Sequence, residues 1–144
     1  MISVNPYLNF PGNAEEAFAF YRSVFGGEFR ALVRFKDMPM PGAKLRKEDE
    51  GKILHIALPV GKDGVLMASD ALESHGMKVT KGNDVHLALV AETKEEADRL
   101  FRALSAGGKV QMPMADQPWG DYYGSFQDRF GIWWMVSYTY PKAN

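Results

Sequence analysis

The chain has 144 residues, a length that suits one domain, or two small modules sharing a core. Lys and Arg (17) nearly balance Asp and Glu (18), so no clustered basic face marks a nucleic-acid binder, and zero cysteines exclude disulfides and thiolate metal sites. No apolar run approaches the ~18 residues of a membrane helix, and "MISVNPYLNF" lacks the basic and apolar regions of a signal peptide, so a cytoplasmic chain with neither nucleic acid nor membrane as partner is expected.

Residues 3–10 read as a strand. Asn13 follows in the position of a helix cap, with Glu16 three residues on as its capping-box partner. Ala14, Ala17, Phe18, Tyr21 and Phe25 recur at helical spacing, and Gly26-Gly27 supplies a left-handed stop. Residues 28–35 read as a strand. Residues 36–52 are rich in Pro, Met, Gly and charge, and are expected to form a mobile loop at the rim of a binding site, with Met38 and Met40 in it. "ILHIALPV" and "GVLMASD" read as two strands joined by the turn Gly61-Lys62-Asp63-Gly64. Residues 71–84 read as a polar linker.

The pattern then restarts. "DVHLALVA" reads as a strand, and "ETKEEADRLFRALSAGG" as a helix capped by Thr93, with Glu96 in the box position and Ala97, Leu100, Phe101 and Leu104 as its buried stripe. "KVQMPM" is a further strand, and an aromatic-rich hairpin closes the chain. Setting Glu15-Glu16-Ala17 over Glu95-Glu96-Ala97 also superposes Asn13 on Thr93 and Gly27 on Gly107, while Gly64 superposes on Gly131. This is an internal repeat of strand, helix and three strands. An α+β fold of two βαβββ modules is expected: module one over residues 1–70, a linker over 71–84 and module two over 85–144, in a single domain.

In the closing hairpin, Asp128-Arg129-Phe130-Gly131 has the Asp-first, Gly-fourth preference of a type I turn. Beyond it, alternation puts Ile132, Trp134, Val136 and Tyr138 on one face and Trp133, Met135, Ser137 and Thr139 on the other. The first face is uniformly large and apolar and should pack on a helix. The second mixes apolar and polar groups, as a ligand-lining face does.

"YLNFPGNAEEAFAFYRSVFGGEF", "LMASDA", "ALSAGGKVQMPM" and "PWGDYYGSFQDRFGIWWMVSY" together resemble the PhnB-like group of the glyoxalase/bleomycin-resistance/dioxygenase (vicinal oxygen chelate) superfamily. The resemblance spans nearly the whole chain. Its most specific part is the series Trp119-Gly120, Tyr123-Gly124, Asp128, Phe130-Gly131 and Trp134. It implies paired βαβββ modules that form a cup, and homodimers. In the superfamily's metalloenzymes, four cup-facing positions on the first and last strands of the modules hold a divalent metal. Carried over by position, these fall on His86, on Pro6 (or Asn5 if the register slips by one), on Met135 and on Ala68. Pro and Ala offer no side-chain ligand, and a thioether is too soft for such a metal. No metal and no cofactor is therefore expected.

His55 and His86 both begin apolar strands and can each edge a cup; the hairpin alignment gives His55 the counterpart Tyr122. His75 sits in the linker and reads as solvated. Asp70 reads as a cap for the turn that follows it. Ser69 and Asp70 beside a histidine do not make a triad, since no G-x-S-x-G elbow exists, and no dinucleotide or Walker motif is present. Some relatives carry methyltransferase names, but nothing in the chain resembles a Rossmann-like unit. The expected function is binding of a small, partly aromatic ligand in a metal-free cup lined by His55, His86, Trp119, Tyr122, Trp133, Met135 and Ser137. The alternatives are a lyase, isomerase or dioxygenase-type enzyme using His55 or His86, and a dimeric adaptor whose cup is filled by its own side chains.

Overall fold

A computed structural model of the chain describes residues 2–38, 42 and 44–142. In chain order it contains β1 (Tyr7–Phe10), α1 (Ala14–Phe25), β2 (Ala31–Arg34), β3 (Ile53–Val60), β4 (Gly64–Asp70), β5 (Leu87–Val90), α2 (Lys94–Ser105), β6 (Lys109–Asp116), β7 (Asp121–Gln127) and β8 (Trp133–Thr139). The strands form two four-stranded sheets of the same topology, ordered β1-β4-β3-β2 and β5-β8-β7-β6. In each, the first strand runs parallel to the last, and the remaining pairs are antiparallel. The fold is therefore α+β, built from two βαβββ modules. They form two compact units that divide between Thr80 and Lys81.

Each helix covers one face of its own sheet. α1 buries Ala14, Ala17, Phe18, Tyr21 and Val24, and Phe18 meets Phe10 edge-on at 6.2 Å. α2 buries Ala97, Leu100 and Leu104, while Phe101 meets Phe126 edge-on at 5.2 Å. Burying each Leu or Phe contributes about 1.5–3 kcal/mol, so these stripes hold each helix to its sheet. The expected cap of α2 is present: Thr93 Oγ1 accepts the Glu96 N–H at 3.0 Å, and Glu96 Oε1 accepts the Glu92 N–H at 3.0 Å.

The cap of α1 differs from expectation. Asn13 makes no side-chain capping bond. Asp70, 2% exposed, supplies the acceptor: its Oδ1 takes the Ala14 N–H at 2.9 Å and its Oδ2 takes the Ile53 N–H at 2.8 Å. One buried carboxylate thus ties helix α1, β3 and β4 together, rather than capping the next turn. Asp128 plays a comparable part in module two. Its Oδ1 accepts from the Phe130 and Ile132 N–H groups and its Oδ2 from Trp134 Nε1 at 2.9 Å, closing the β7–β8 turn.

Several boundaries shift, and β2 begins at Ala31 rather than at residue 28. β1 begins at Tyr7 rather than Ser3, and β5 at Leu87 rather than Asp84. β2 ends at Arg34 because Phe35 opens a 3-10 turn (Phe35–Asp37), its N–H donating to Lys52 O at 3.0 Å. β6 runs on to Asp116. Within residues 36–52, a second 3-10 turn (Lys47–Asp49) stands where only loop was expected, and buried Asp49 accepts from Lys52 and Ser74. Met38 is exposed; Met40 lies outside the described residues. In the expected linker, Ala71 and Leu72 are buried in the first unit, and Glu73–His75 forms a third 3-10 turn.

Candidate functional site

The face of each sheet away from its helix carries the candidate chemistry, and strand register decides which residues reach it. In module two, Trp134 and Val136 are buried against α2, so Trp133, Met135 and Ser137 lie on the open face. Met135 pairs with Ala88 and Ser137 with Val90, which brings His86 beside Trp133. Their rings stand 5.4 Å apart, tilted by 43°.

In module one, Leu66, Ala68 and Asp70 are the buried set on β4, and Asp70 reaches the N-terminus of α1. Met67 and Ser69 therefore occupy the open face, opposite Tyr7 and Asn9. Ala68 does not reach it. The hairpins explain the error. Val60 pairs with Gly64 around a loop of residues 61–63, whereas Gln127 pairs with Trp133 around a loop of residues 128–132. Gly131 sits in its turn with φ +89°, but Gly64 already belongs to a strand. Matching these two glycines slips the register by one residue, and one residue turns every side chain over. By ladder, Met67 corresponds to Met135, Ser69 to Ser137, Asn5 to His86 and Tyr123 to His55.

Tyr122 is corrected by the same slip. It pairs with Tyr138 on the face toward α2, where its hydroxyl donates to Asp98 Oδ1 at 2.6 Å and Lys94 Nζ lies 4.6 Å above its ring. That hydrogen bond, then burial, then the Asp98 charge push the Tyr122 hydroxyl up to about 12. Lys94 is raised by its hydrogen bond to Tyr140, whose hydroxyl donates to Asp116 Oδ1 at 2.5 Å. These groups link α2 and β7 to the end of β6 and to the residue that follows β8. Trp119 stands before β7, 63% exposed, with Nε1 donating to Asp121 Oδ2 at 3.0 Å and its ring edge-on to Tyr123 at 6.2 Å.

Two polar clusters on the open faces escaped the sequence. In module two, Ser125, fully buried, donates from Oγ to Gln111 Oε1 at 2.8 Å, and His86 Nε2 lies 3.3 Å from the same oxygen. Gln111 is available there because the β6–β7 register breaks between Val110 and Met112. Pro113 in the middle of a strand was the one sequence signal of that irregularity. In module one, Tyr7 Oη bonds both His55 Nδ1 (3.2 Å) and Ser69 Oγ, and Ser69 Oγ donates to Leu54 O at 2.7 Å. The rings of Tyr7 and His55 stack, 5.8 Å apart and 20° from parallel. His75, expected to be solvated, has Nε2 3.1 Å from Lys44 O.

The residues at the superfamily's four metal positions are, by ladder, Asn5, Met67, His86 and Met135. This set does not fit a divalent metal. Asn5 Oδ1 already accepts the Val65 N–H at 3.3 Å, two thioethers are soft, and one imidazole remains. Among the described residues, no group of three or more His, Cys, Asp or Glu is placed to hold a metal ion.

A family model described as "Glyoxalase/Bleomycin resistance protein/Dioxygenase superfamily" matches residues 3–136. Protein YjdN of Escherichia coli strain K12 is 28% identical over 137 residues, covering 93% of each chain. The crystal structure of protein PA1353 from Pseudomonas aeruginosa is 38% identical, with a TM-score of 0.84 over 96% of this chain and 98% of that one. A Bacillus cereus protein described as a putative 3-demethylubiquinone-9 3-methyltransferase, PhnB protein, is 28% identical, with a TM-score of 0.73 over 96% of this chain and 100% of its own.

Proposed function

The chain belongs to the glyoxalase/bleomycin resistance protein/dioxygenase superfamily, and we propose that it is a PhnB-like member that binds a small, partly aromatic ligand through the open face of module two, without a metal. One observation carries this reading. The half-buried ring of Trp133, the Met135 thioether and Ser137 share a sheet face with a fixed polar group, His86–Gln111–Ser125. An apolar wall with a few convergent polar atoms suits an aromatic ring with one polar substituent. The ring would rest on Trp133 and Met135, contacts that favour offset or edge geometry and soft sulfur. The polar substituent would be read by His86 and Gln111. The methyltransferase description of the Bacillus cereus protein does not suit this chain: among the described residues the only parallel strand pairs are β1/β4 and β5/β8, with no doubly wound nucleotide-binding unit.

Native mass spectrometry on protein purified under mild conditions tests the proposal, followed by titration with aromatic acids and phenols. The expected result is a bound small molecule whose affinity falls about tenfold or more in Trp133→Ala. A chain that carries nothing from the cell, and binds no compound of the panel, would instead be an adaptor.

A further inference from the structure

We propose that the open face of module one recognises a weakly acidic group, a phenol or enol O–H or an imide N–H, which His55 Nε2 accepts. Leu54 O can only accept, so Ser69 must spend its single hydroxyl proton on it. Ser69 Oγ is then only an acceptor toward Tyr7, and Tyr7 spends its own proton there. Tyr7 Oη has only lone pairs left for His55, so His55 must donate from Nδ1 across 3.2 Å. A neutral imidazole with its proton on Nδ1 presents a lone pair on Nε2. Among the described residues, nothing bonds Nε2.

The direction of every bond is thus fixed by one backbone carbonyl, three side chains away from the atom it governs. Tyr7 and Ser69 are positioning residues, since neither needs to touch the ligand. Tyr7 is 46% exposed and its ring lies nearly parallel to that of His55, so a planar donor has a flat surface beside the accepting nitrogen. The site uses residues of the first unit alone and stands whether or not module two binds its ligand.

The chain of donors makes an unusual variant prediction. In Ser69→Ala, Tyr7 loses its acceptor and turns its proton to His55 Nδ1. The histidine must then move its own proton to Nε2, and the acceptor disappears although His55 and Tyr7 are both intact. Ser69→Thr keeps the hydroxyl and keeps the acceptor. The test is ¹⁵N NMR of the His55 ring at neutral pH in the parent and both variants, with 4-nitrophenol as the probe. The expected result is a protonated Nδ1 and a bare Nε2 in the parent and Ser69→Thr, and the reverse in Ser69→Ala. The probe should move the parent Nε2 resonance and bind about tenfold more weakly to Ser69→Ala. A parent with its proton on Nε2, a tautomer unchanged in Ser69→Ala, or a Nε2 resonance indifferent to saturating probe would each overturn the proposal.

Discussion

A single carboxylate, Asp70, replaces the cap that local sequence assigns to Asn13, and it does so from 56 residues away. Its two oxygens satisfy two backbone N–H groups inside the core. Removing it leaves both donors dry, at about 1–3 kcal/mol each. Asp70→Ala should therefore lower stability by about 2–6 kcal/mol in urea unfolding, and Asp70→Asn, which keeps one carbonyl oxygen, by less. No sequence rule reaches a cap at that separation, whereas Thr93 and Glu96 were legible because their bonds are local. His86 belongs to the same scale. A divalent ion beside one imidazole and two thioethers would lose its hydration for little return, with a penalty of several kcal/mol per buried charge. After dialysis against zinc, nickel or manganese, elemental analysis should find no stoichiometric metal in the parent, as in His86→Ala. One equivalent held by the parent and lost in the variant would refute this.

At the level of elements, helices and strands were readable and faces only in part. The stripes of α1 and α2 and the alternation along β8 each carry many residues, so the pattern survives one exception. Placing Ala68 and Tyr122 relied on one superposed glycine pair, and hairpin loops of unequal length defeat that superposition. Gln111 was invisible because a register break, not alternation, brings it to Ser125 and His86. The relocated Tyr122 has a measurable signature where β7 meets α2. Its ionisation is raised from 10.0 to about 12, so the neutral phenol holds its full stabilising effect below about pH 10 and loses it as pH climbs toward 12. Tyr122→Phe should cost about 1 kcal/mol at neutral pH, and that difference should shrink over this alkaline window. A difference constant from pH 8 to 12 would mean that the Asp98 bond does not couple to ionisation.

At the scale of the molecule, we propose a homodimer. Val85, Val90, Val110, Met112 and Trp119 are all more than 40% exposed, and β5 and β6 are the edge strands of their sheet. Apolar side chains on sheet edges invite a covering partner. Sedimentation at micromolar concentration should give twice the chain mass of 16.1 kDa; a monomer there would leave the fold untouched and end the proposal.

The two edges are not alike, and the irregular one has a colloidal consequence. β6 carries two register breaks, with Pro113 inside the second, so it lacks the straight, continuous row of donors that a foreign strand would copy. The same irregularity that delivers Gln111 to His86 therefore acts as a gatekeeper against fibril growth. Its cost is that β6 cannot be straightened without danger. Pro113→Val should restore a donor beside exposed Val110 and Met112 and shorten the lag before thioflavin-positive aggregates form in concentrated samples. An unchanged lag would mean that the breaks alone are enough to keep this edge from seeding.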